Sequence, residues 1–191
     1  MESDLKIKVI LLGDVSVGKT CLYQRYFWDK FEFMEPSVKS DNNSKVVNRD
    51  DTEFRLEVWD TAGAEQYRSI TKLHYRNSDV ALLLFDMNDL NSLEGLDYWE
   101  SELSMNEPKC IKYIVATKSD TLVEDEQENI MRRAKSKFYD YPKNNFFMTS
   151  ARNGQGINEL FDFLINDQRI PLNNHSLSSI QQSNDSNNKC C

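Results

Sequence analysis

The clearest chemical spacing in this chain is at residues 13–20, which read Gly-Asp-Val-Ser-Val-Gly-Lys-Thr. A largely apolar run at 7–12 precedes them and a segment without glycine or proline follows, so a strand and a helix are expected on either side. Glycines let backbone N–H groups approach an anion, and the helix start adds the positive end of its dipole. The loop therefore predicts binding of nucleotide phosphates, with Lys19 on the β- and γ-phosphates and the Thr20 hydroxyl on Mg²⁺. The alternative is an ordinary strand–turn–helix connection with a chance pair of glycines.

Three further polar segments follow predicted strands, at residues 60–63, 117–120 and 149–152. Asp60 can hold Mg²⁺, usually through water, as an acid does in other phosphate-loop nucleotide enzymes. Gly63 lets its N–H approach a γ-phosphate, although a polar turn after a strand is the alternative. Because ligands bind at the carboxyl ends of parallel strands, these segments are expected to join the phosphate loop at one edge of a sheet.

The composition restricts the class of protein. A chain of 191 residues suits one domain with a tail, and a net charge of −8 argues against nucleic-acid binding. No run of about 18 apolar residues could span a membrane, and the first four residues lack the cationic start of a signal peptide, so a cytosolic protein is expected. The two histidines are far apart, which leaves no zinc spacing. Cys21 and Cys110 lie in apolar surroundings and are predicted to be reduced and buried.

Hydrophobic periodicity predicts an α/β fold of the phosphate-loop NTPase type. Helices should cover both faces of a mainly parallel six-stranded sheet in three layers, with one antiparallel strand at about 45–49. Residues 29–43 have no clear period and are expected to form a loop, and Ser92 is a plausible helix cap. We expect a domain over residues 1–170 and a tail over 171–191. The predicted strands cover 6–12, 45–49, 52–59, 80–87, 111–116 and 145–149. The predicted helices cover about 21–27, 91–105, 124–138 and 156–167.

Together the four loops resemble those of the Ras-like small GTPases. Residues 59–63 (Trp-Asp-Thr-Ala-Gly) and 67–71 (Tyr-Arg-Ser-Ile-Thr) look like the Rab branch, and the resemblance covers about residues 5–165. It implies a GTP/GDP site in which Asp120 accepts from guanine N1–H and the 2-amino group, while the Ala151 N–H donates to O6. Lys118 would pack along the base and Phe31 would lie at its edge, although an isolated Phe in a loop is often only a packing anchor.

The resemblance also implies the full set of ligand residues. Mg²⁺ would be held by Thr20, Ser37 and Asp60. The nucleotide would contact Asp14, Val15, Ser16, Val17, Gly18, Lys19, Thr20, Cys21, Phe31, Ser37, Gly63, Thr117, Lys118, Asp120, Ser150, Ala151 and Arg152.

Two departures from the family predict slow GTP hydrolysis. Ala64 stands where the family has the glutamine that orients the attacking water, so no intact catalytic residue remains at that position. Val15 replaces the usual Gly or Ser and crowds the space beside the γ-phosphate. Gln66 lies two residues beyond Ala64 and is not expected to substitute for the missing side chain.

Other departures affect nucleotide and partner binding. Ser37 or Val38 takes the place of the first-switch threonine, with Ser37 favoured because it keeps the hydroxyl. Thr117 replaces an asparagine and can make only part of its contacts, so nucleotide affinity is expected to be weaker, whereas Arg152 for lysine is a milder change. The segments expected to face effectors are residues 37–42, Trp59 and residues 64–74. Of the aromatic trio that Rab partners read, whose positions here are Asn42, Trp59 and His74, only the tryptophan is kept.

The polar tail ends in Cys190 and Cys191, which match the double-cysteine ending of Rab proteins. The resemblance implies prenylation of both, because one lipid chain anchors only marginally and the tail has no basic patch. It places the protein on the cytosolic face of an endomembrane in vesicle transport, with effectors, an exchange factor, a GDP-dissociation inhibitor and the Rab prenylation machinery as partners. Two alternatives are a pseudo-GTPase scaffold with structural or absent nucleotide and an ATP-using phosphate-loop enzyme. Asp120 argues against the latter.

Overall fold

The computed structural model describes residues 5–32, 41–61 and 75–173. These residues contain one six-stranded sheet with the order β2-β3-β1-β4-β5-β6. Only the β2–β3 pair is antiparallel, so the predicted mainly parallel sheet with one antiparallel strand is confirmed. The strands are β1 (Lys6–Leu12), β2 (Asp41–Arg49), β3 (Thr52–Asp60), β4 (Val80–Asp86), β5 (Ile111–Thr117) and β6 (Phe146–Met148).

The described residues contain four α-helices, whose bounds lie within one residue of the prediction except for the start of the first helix, which begins at residue 19 rather than at about 21. They are α1 (Lys19–Trp28), α2 (Leu90–Asn106), α3 (Glu124–Lys137) and α4 (Ile157–Asn166). In α3 the first turn is acidic and the last turn is basic, which complements the helix dipole. None of the helices in the described parts of the chain is long and apolar enough to cross a membrane.

Alternation along the central strands divides the core into two layers. Val9 and Leu11 pack with side chains of α1 and α4, whereas Ile10 and Leu12 pack with those of α2 and α3. Because successive side chains of a strand point to opposite faces, a fully apolar strand must be covered on both sides. The three-layer arrangement follows from that requirement.

Four local predictions need correction. β2 begins at Asp41, so residues 41–43 are not loop; their polar side chains suit an edge strand paired with β3. The cap of α2 is Asp89, whose carboxylate accepts from the Asn91 N–H, while Ser92 is buried and its hydroxyl accepts from the Asp86 N–H. β6 is shorter than predicted, because residue 145 belongs to a 3₁₀ turn. Cys21 is half-buried rather than buried, since it stands beside the phosphate loop at the start of α1.

Contacts with the start of β1 continue past the end of α4. The Lys6 N–H donates to Asn173 O over 3.0 Å, and the Asn173 side chain donates to Asp79. Arg49 is buried and donates to the carbonyls of Ile165 and Ile170, which fixes this last segment against β2. The division into residues 1–170 and 171–191 stays a prediction.

Candidate functional site

The phosphate loop connects β1 to α1 and depends on its two glycines. Gly13 has φ 151°, and a Cβ there would lie 2.3 Å from the carbonyl oxygen of Leu84 in β4. Gly18 has φ 97° and occupies the N-cap position of α1. Both are conformations that side-chain-bearing residues rarely adopt. The two glycines therefore permit a tight turn between β1 and α1 that other residues would strain.

Lys19 is the buried cation of this loop, with 5% of its surface exposed. Its Nζ donates to the carbonyl oxygens of Gly13 at 2.9 Å and Asp14 at 2.7 Å. Burial lowers the pKa of this ammonium to about 8, against the opposing effect of Asp60 and Asp14. A positive charge is thus held within the turn, where an anion would be bound.

Asp60 ends β3 next to the start of α1, and 2% of its surface is exposed. Its Oδ2 accepts from the Thr20 hydroxyl at 2.7 Å, while its Oδ1 is buried without a hydrogen-bond partner among the described residues. Burial raises the pKa of this carboxyl group to about 6, although Thr20 and Lys19 act in the opposite direction. A buried, unpartnered carboxylate oxygen beside a hydroxyl fits a hard divalent cation, which takes oxygen ligands.

The segment after β5 makes contact with the phosphate loop through Thr117. Its hydroxyl lies 2.6 Å from the carbonyl oxygen of Val17 and 3.0 Å from that of Phe85. A hydroxyl has only one proton to donate, and here that proton is directed at backbone carbonyls. Thr117 therefore makes the contact with the phosphate loop but has no further proton to donate to a nucleotide base.

Asp120 follows in the same segment and is oriented by the loop after β6. Its Oδ1 accepts from the hydroxyl of Ser150, which is fully buried. Arg152 Nη1 lies 3.8 Å from its Oδ2, but the arginine side chain is 68% exposed. The carboxylate is therefore held mainly by the serine. Lys118 has φ 59° and forms an ion pair of 2.7 Å with Asp86.

The loop after β6 is fastened to neighbouring backbone. The Ser119 N–H donates to Thr149 O, and the Gly154 N–H donates to Ser150 O. Ala151 O accepts from the side chain of Arg25 in α1. The predicted segments 13–20, 117–120 and 149–152 thus meet at one edge of the sheet, together with Asp60.

Some of the remaining predicted residues lie in the described parts of the chain and others do not. Val15 and Ser16 are exposed in the phosphate loop, and Ser16 has φ 63°. Phe31 is half-buried after α1, and Asn42 is exposed on β2. Trp59 has the ammonium of Lys8 4.8 Å from its ring centroid. Residues outside the described parts of the chain are Ser37, Val38, Gly63, Ala64, Gln66, His74, Cys190 and Cys191.

Sequence reasoning missed a set of contacts between α2 and the phosphate loop. The indole Nε1 of Trp99 donates to Asp14 Oδ1 at 3.1 Å. Gly95, one turn earlier in α2, leaves room for the same carboxylate, because a Cβ there would lie 2.2 Å from Asp14 Oδ2. The available signal was the glycine itself, since a glycine inside a helix usually has a packing reason. The contact of Arg25 with Ala151 had no sequence signal.

Comparisons with known proteins agree with this geometry. The family model described as "Ras family" matches residues 8–169. "Ras-related protein Rab-24" of Dictyostelium discoideum is 32% identical over 166 residues, 87% of this chain and 82% of the relative. "Ras-related protein rab-39" of Caenorhabditis elegans is 35% identical, over 82% of this chain and 70% of the relative. "GTP-binding protein ypt5" of Schizosaccharomyces pombe is 32% identical, over 86% of this chain and 78% of the relative.

The family model covers most of the chain, and the relatives carry Rab or GTP-binding names. The family uses GTP and GDP with Mg²⁺, which the buried oxygen of Asp60 and the hydroxyl of Thr20 fit. Membership of this family also implies that regulators and effectors, in general, bind the protein. This chain belongs to the Ras family and is a divergent Rab-like small GTPase that hydrolyses GTP.

Proposed function

We propose that this protein is a membrane-anchored GTP/GDP switch in vesicle transport that hydrolyses GTP slowly. The observation that carries nucleotide binding is the buried Oδ1 of Asp60, which has no hydrogen-bond partner in the described parts of the chain and lies beside Thr20 and the buried ammonium of Lys19. Mg²⁺, when bound, supplies charge neutralisation on phosphate oxygens. The chain's own groups would bind and orient the nucleotide: Lys19 and the loop amides would bind the phosphates, and Asp60 and Thr20, together with Ser37, would hold the cation.

Base recognition is assigned to Asp120 and the Ala151 N–H, with Lys118 along the ring. The Ser150 hydroxyl supports this assignment, because it orients the carboxylate through Oδ1 and leaves Oδ2 and a second lone pair of Oδ1 to accept from guanine N1–H and the 2-amino group. Thr117 is directed to protein carbonyls, which supports weaker binding than an asparagine would give at that position.

Slow hydrolysis rests on Ala64 and Val15. Alanine has no group that can orient the attacking water, and water positioning is a main task of the protein in this reaction. Val15 is 48% exposed in the phosphate loop, so its methyl groups are available to crowd an incoming water or a partner's arginine. Both features favour the GTP-bound state.

Single-turnover hydrolysis of bound GTP tests this proposal directly. Ala64→Gln is expected to raise the rate at least about tenfold, and Val15→Gly should add to that gain if crowding contributes. Ala64→Asn is the matched control, because it adds an amide that is too short to reach the same place. A wild-type rate equal to that of ordinary family members, with no gain in Ala64→Gln, refutes slow hydrolysis.

The second candidate is a pseudo-GTPase scaffold, favoured by the engagement of Thr117 with Val17 and Phe85 backbone. The nucleotide content of the purified full-length chain separates the two functions. Stoichiometric GTP or GDP that exchanges in the presence of Mg²⁺ supports the switch. Empty protein, or one mole of nucleotide that never exchanges or turns over, supports the scaffold. Competition by ATP would favour an ATP-using enzyme.

Membrane attachment is assigned to prenyl groups on Cys190 and Cys191, on the cytosolic face of an endomembrane. Two chains anchor stably where one does not, and the two final cysteines resemble the double-cysteine ending of Rab proteins. The double variant Cys190→Ser/Cys191→Ser should move the protein from the membrane pellet to the soluble fraction. An unchanged distribution refutes the anchor. An exchange factor, a GDP-dissociation inhibitor, the Rab prenylation machinery and effectors at the switch segments complete the proposed partners.

A further inference from the structure

Arg25 in the last turn of α1 holds two consecutive carbonyls of the loop after β6. Its Nε donates to Ala151 O at 2.6 Å and its Nη2 donates to Arg152 O at 2.8 Å. The side chain is 16% exposed. One edge of the planar guanidinium therefore donates hydrogen bonds to two consecutive peptide carbonyls, a geometry that lysine cannot reproduce.

These contacts determine where the amide protons of the loop point. The described peptide bonds are all trans, and in a trans peptide the N–H points opposite to the C=O. Ser150 O is held by the Gly154 N–H, so the Ala151 N–H of that peptide faces the other way. Arg25 fixes the next two peptides of the same turn. The orientation of the Ala151 N–H, the proposed donor to guanine O6, thus depends on the hydrogen bonds that hold its own peptide and the two peptides that follow.

The guanidinium is itself positioned by the end of α1. Its Nη1 donates to Asp29 O at 3.0 Å and Asp29 Oδ1 at 2.8 Å, while the Asp29 N–H donates back to Arg25 O. Lys19 and Thr20 begin the same helix, about 9 Å away along its axis. Helix α1 therefore carries the proposed phosphate-binding residues at its start and, near its end, the arginine that binds the loop after β6.

Resting on the proposed function, we infer that Arg25 is a positioning residue that keeps the base-reading loop in register with the phosphate loop. It acts through the Ala151 N–H and so governs the contact to guanine O6. The ion pair with Asp29 is secondary, because the Asp29 side chain is 90% exposed and water competes for it.

The test compares nucleotide release from the full-length chain and from Arg25→Lys with three ligands. The ligands are GDP, inosine diphosphate, which lacks the 2-amino group, and 6-thio-GDP, whose sulfur is a poor acceptor at position 6. Arg25→Lys should release GDP about 10- to 100-fold faster, the range for one or two lost charge-assisted hydrogen bonds. Inosine diphosphate should show the same ratio, and 6-thio-GDP a ratio below about threefold.

The matched control is Asp29→Asn, which removes the ion pair and keeps a side chain that tolerates the φ of 52° at this cap. It should leave GDP release within about twofold of wild type. If Arg25→Lys does not fold, Arg25→Gln carries the same comparison, because its amide keeps a donor.

Equal acceleration for GDP and 6-thio-GDP would overturn the inference, because Arg25 would then act on general stability. Unchanged GDP release from Arg25→Lys would also overturn it, while leaving the proposed function standing. If the wild-type protein binds none of the three ligands, both the proposed function and this inference are refuted.

Discussion

Replacing Gly95 with alanine is expected to destabilise the protein, although the substitution lies inside a helix where alanine is ordinarily favoured. The reason is the carboxylate of Asp14 in the phosphate loop. A Cβ on Gly95 would lie 2.2 Å from Asp14 Oδ2 and 3.0 Å from its Cγ. No real carbon–oxygen contact is that short, so the aspartate must turn away and lose its hydrogen bond from Trp99.

Two opposing effects set the magnitude. Alanine in place of glycine in a helix interior contributes about 0.5–1 kcal/mol of stability. Loss of a hydrogen bond to a charged group costs about 1.5–3 kcal/mol. Trp99 is 3% exposed, so water does not readily replace the lost partner of its indole N–H. The net expectation is a loss of about 1–2 kcal/mol, or roughly 2–8 °C in Tm for a domain of this size.

The assay is urea unfolding of four proteins in GDP and Mg²⁺, with the GDP Kd of each protein measured separately so that the contribution of bound ligand to apparent stability can be subtracted. The proteins are wild type, Gly95→Ala, Asp14→Ala and the double variant. In the Asp14→Ala background the obstruction is gone, so Gly95→Ala should stabilise by about 0.5–1 kcal/mol. The same substitution thus changes sign between the two backgrounds.

Stabilisation by Gly95→Ala in both backgrounds would refute the reasoning, because the aspartate would then have room to move at no cost. Equal destabilisation in both would place the obstruction elsewhere. GDP release provides a second measurement, since Asp14 belongs to the phosphate loop. Gly95→Ala should accelerate release in the wild-type background and have no further effect on Asp14→Ala.

Three further predictions concern other contacts. Burial opposes ionisation of Asp167, yet hydrogen bonds, chiefly from Arg169, lower its pKa to about 2, so it stabilises the fold above the ordinary carboxylate range. That contribution should disappear as pH falls from about 4 to 2, and Asp167→Asn should flatten the acid limb of stability against pH; an unchanged limb would contradict it. Ser150→Ala frees the carboxylate of Asp120 and should accelerate GDP release severalfold, whereas retention at the wild-type rate would show that the serine does not orient it. Thr117→Val is nearly isosteric and should cost about 1–3 kcal/mol in urea unfolding by removing the buried hydroxyl donor that faces the carbonyls of Val17 and Phe85, while unaltered stability would mean that the hydroxyl contributes nothing.

The sequence by itself determined the α/β architecture and the position of the phosphate loop. β1, β4 and β5 are apolar on both faces, and such strands can only lie inside a sheet covered by helices on both sides. The glycine spacing of residues 13–20 is a local feature, because the backbone of a short loop is set by its own residues. Parallel strands then bring their carboxyl ends to one edge, which is why Asp60 and Asp120 could be assigned to the same site.

Polar edge structure was harder to predict. The first residues of β2 are polar, and an edge strand that is exposed to water carries no hydrophobic period. Its extent to Asp41 follows only from pairing with β3, which continues as far as Asp60. The cap of α2 was likewise decided by packing, because Ser92 is drawn inward to the end of β4.

Only the tertiary structure decided which side chains position the site. Trp99 reaches Asp14 across 85 residues, and Arg25 reaches Ala151 across 126. Periodicity and propensity describe neighbours a few residues apart, so they carry no information about such pairs. The partners are chosen by the order of strands in the sheet and by which face each helix turns toward it. The tertiary structure also decided that Oδ1 of Asp60 is buried without a hydrogen-bond partner among residues 5–32, 41–61 and 75–173, because the burial of a carboxylate depends on everything packed around it.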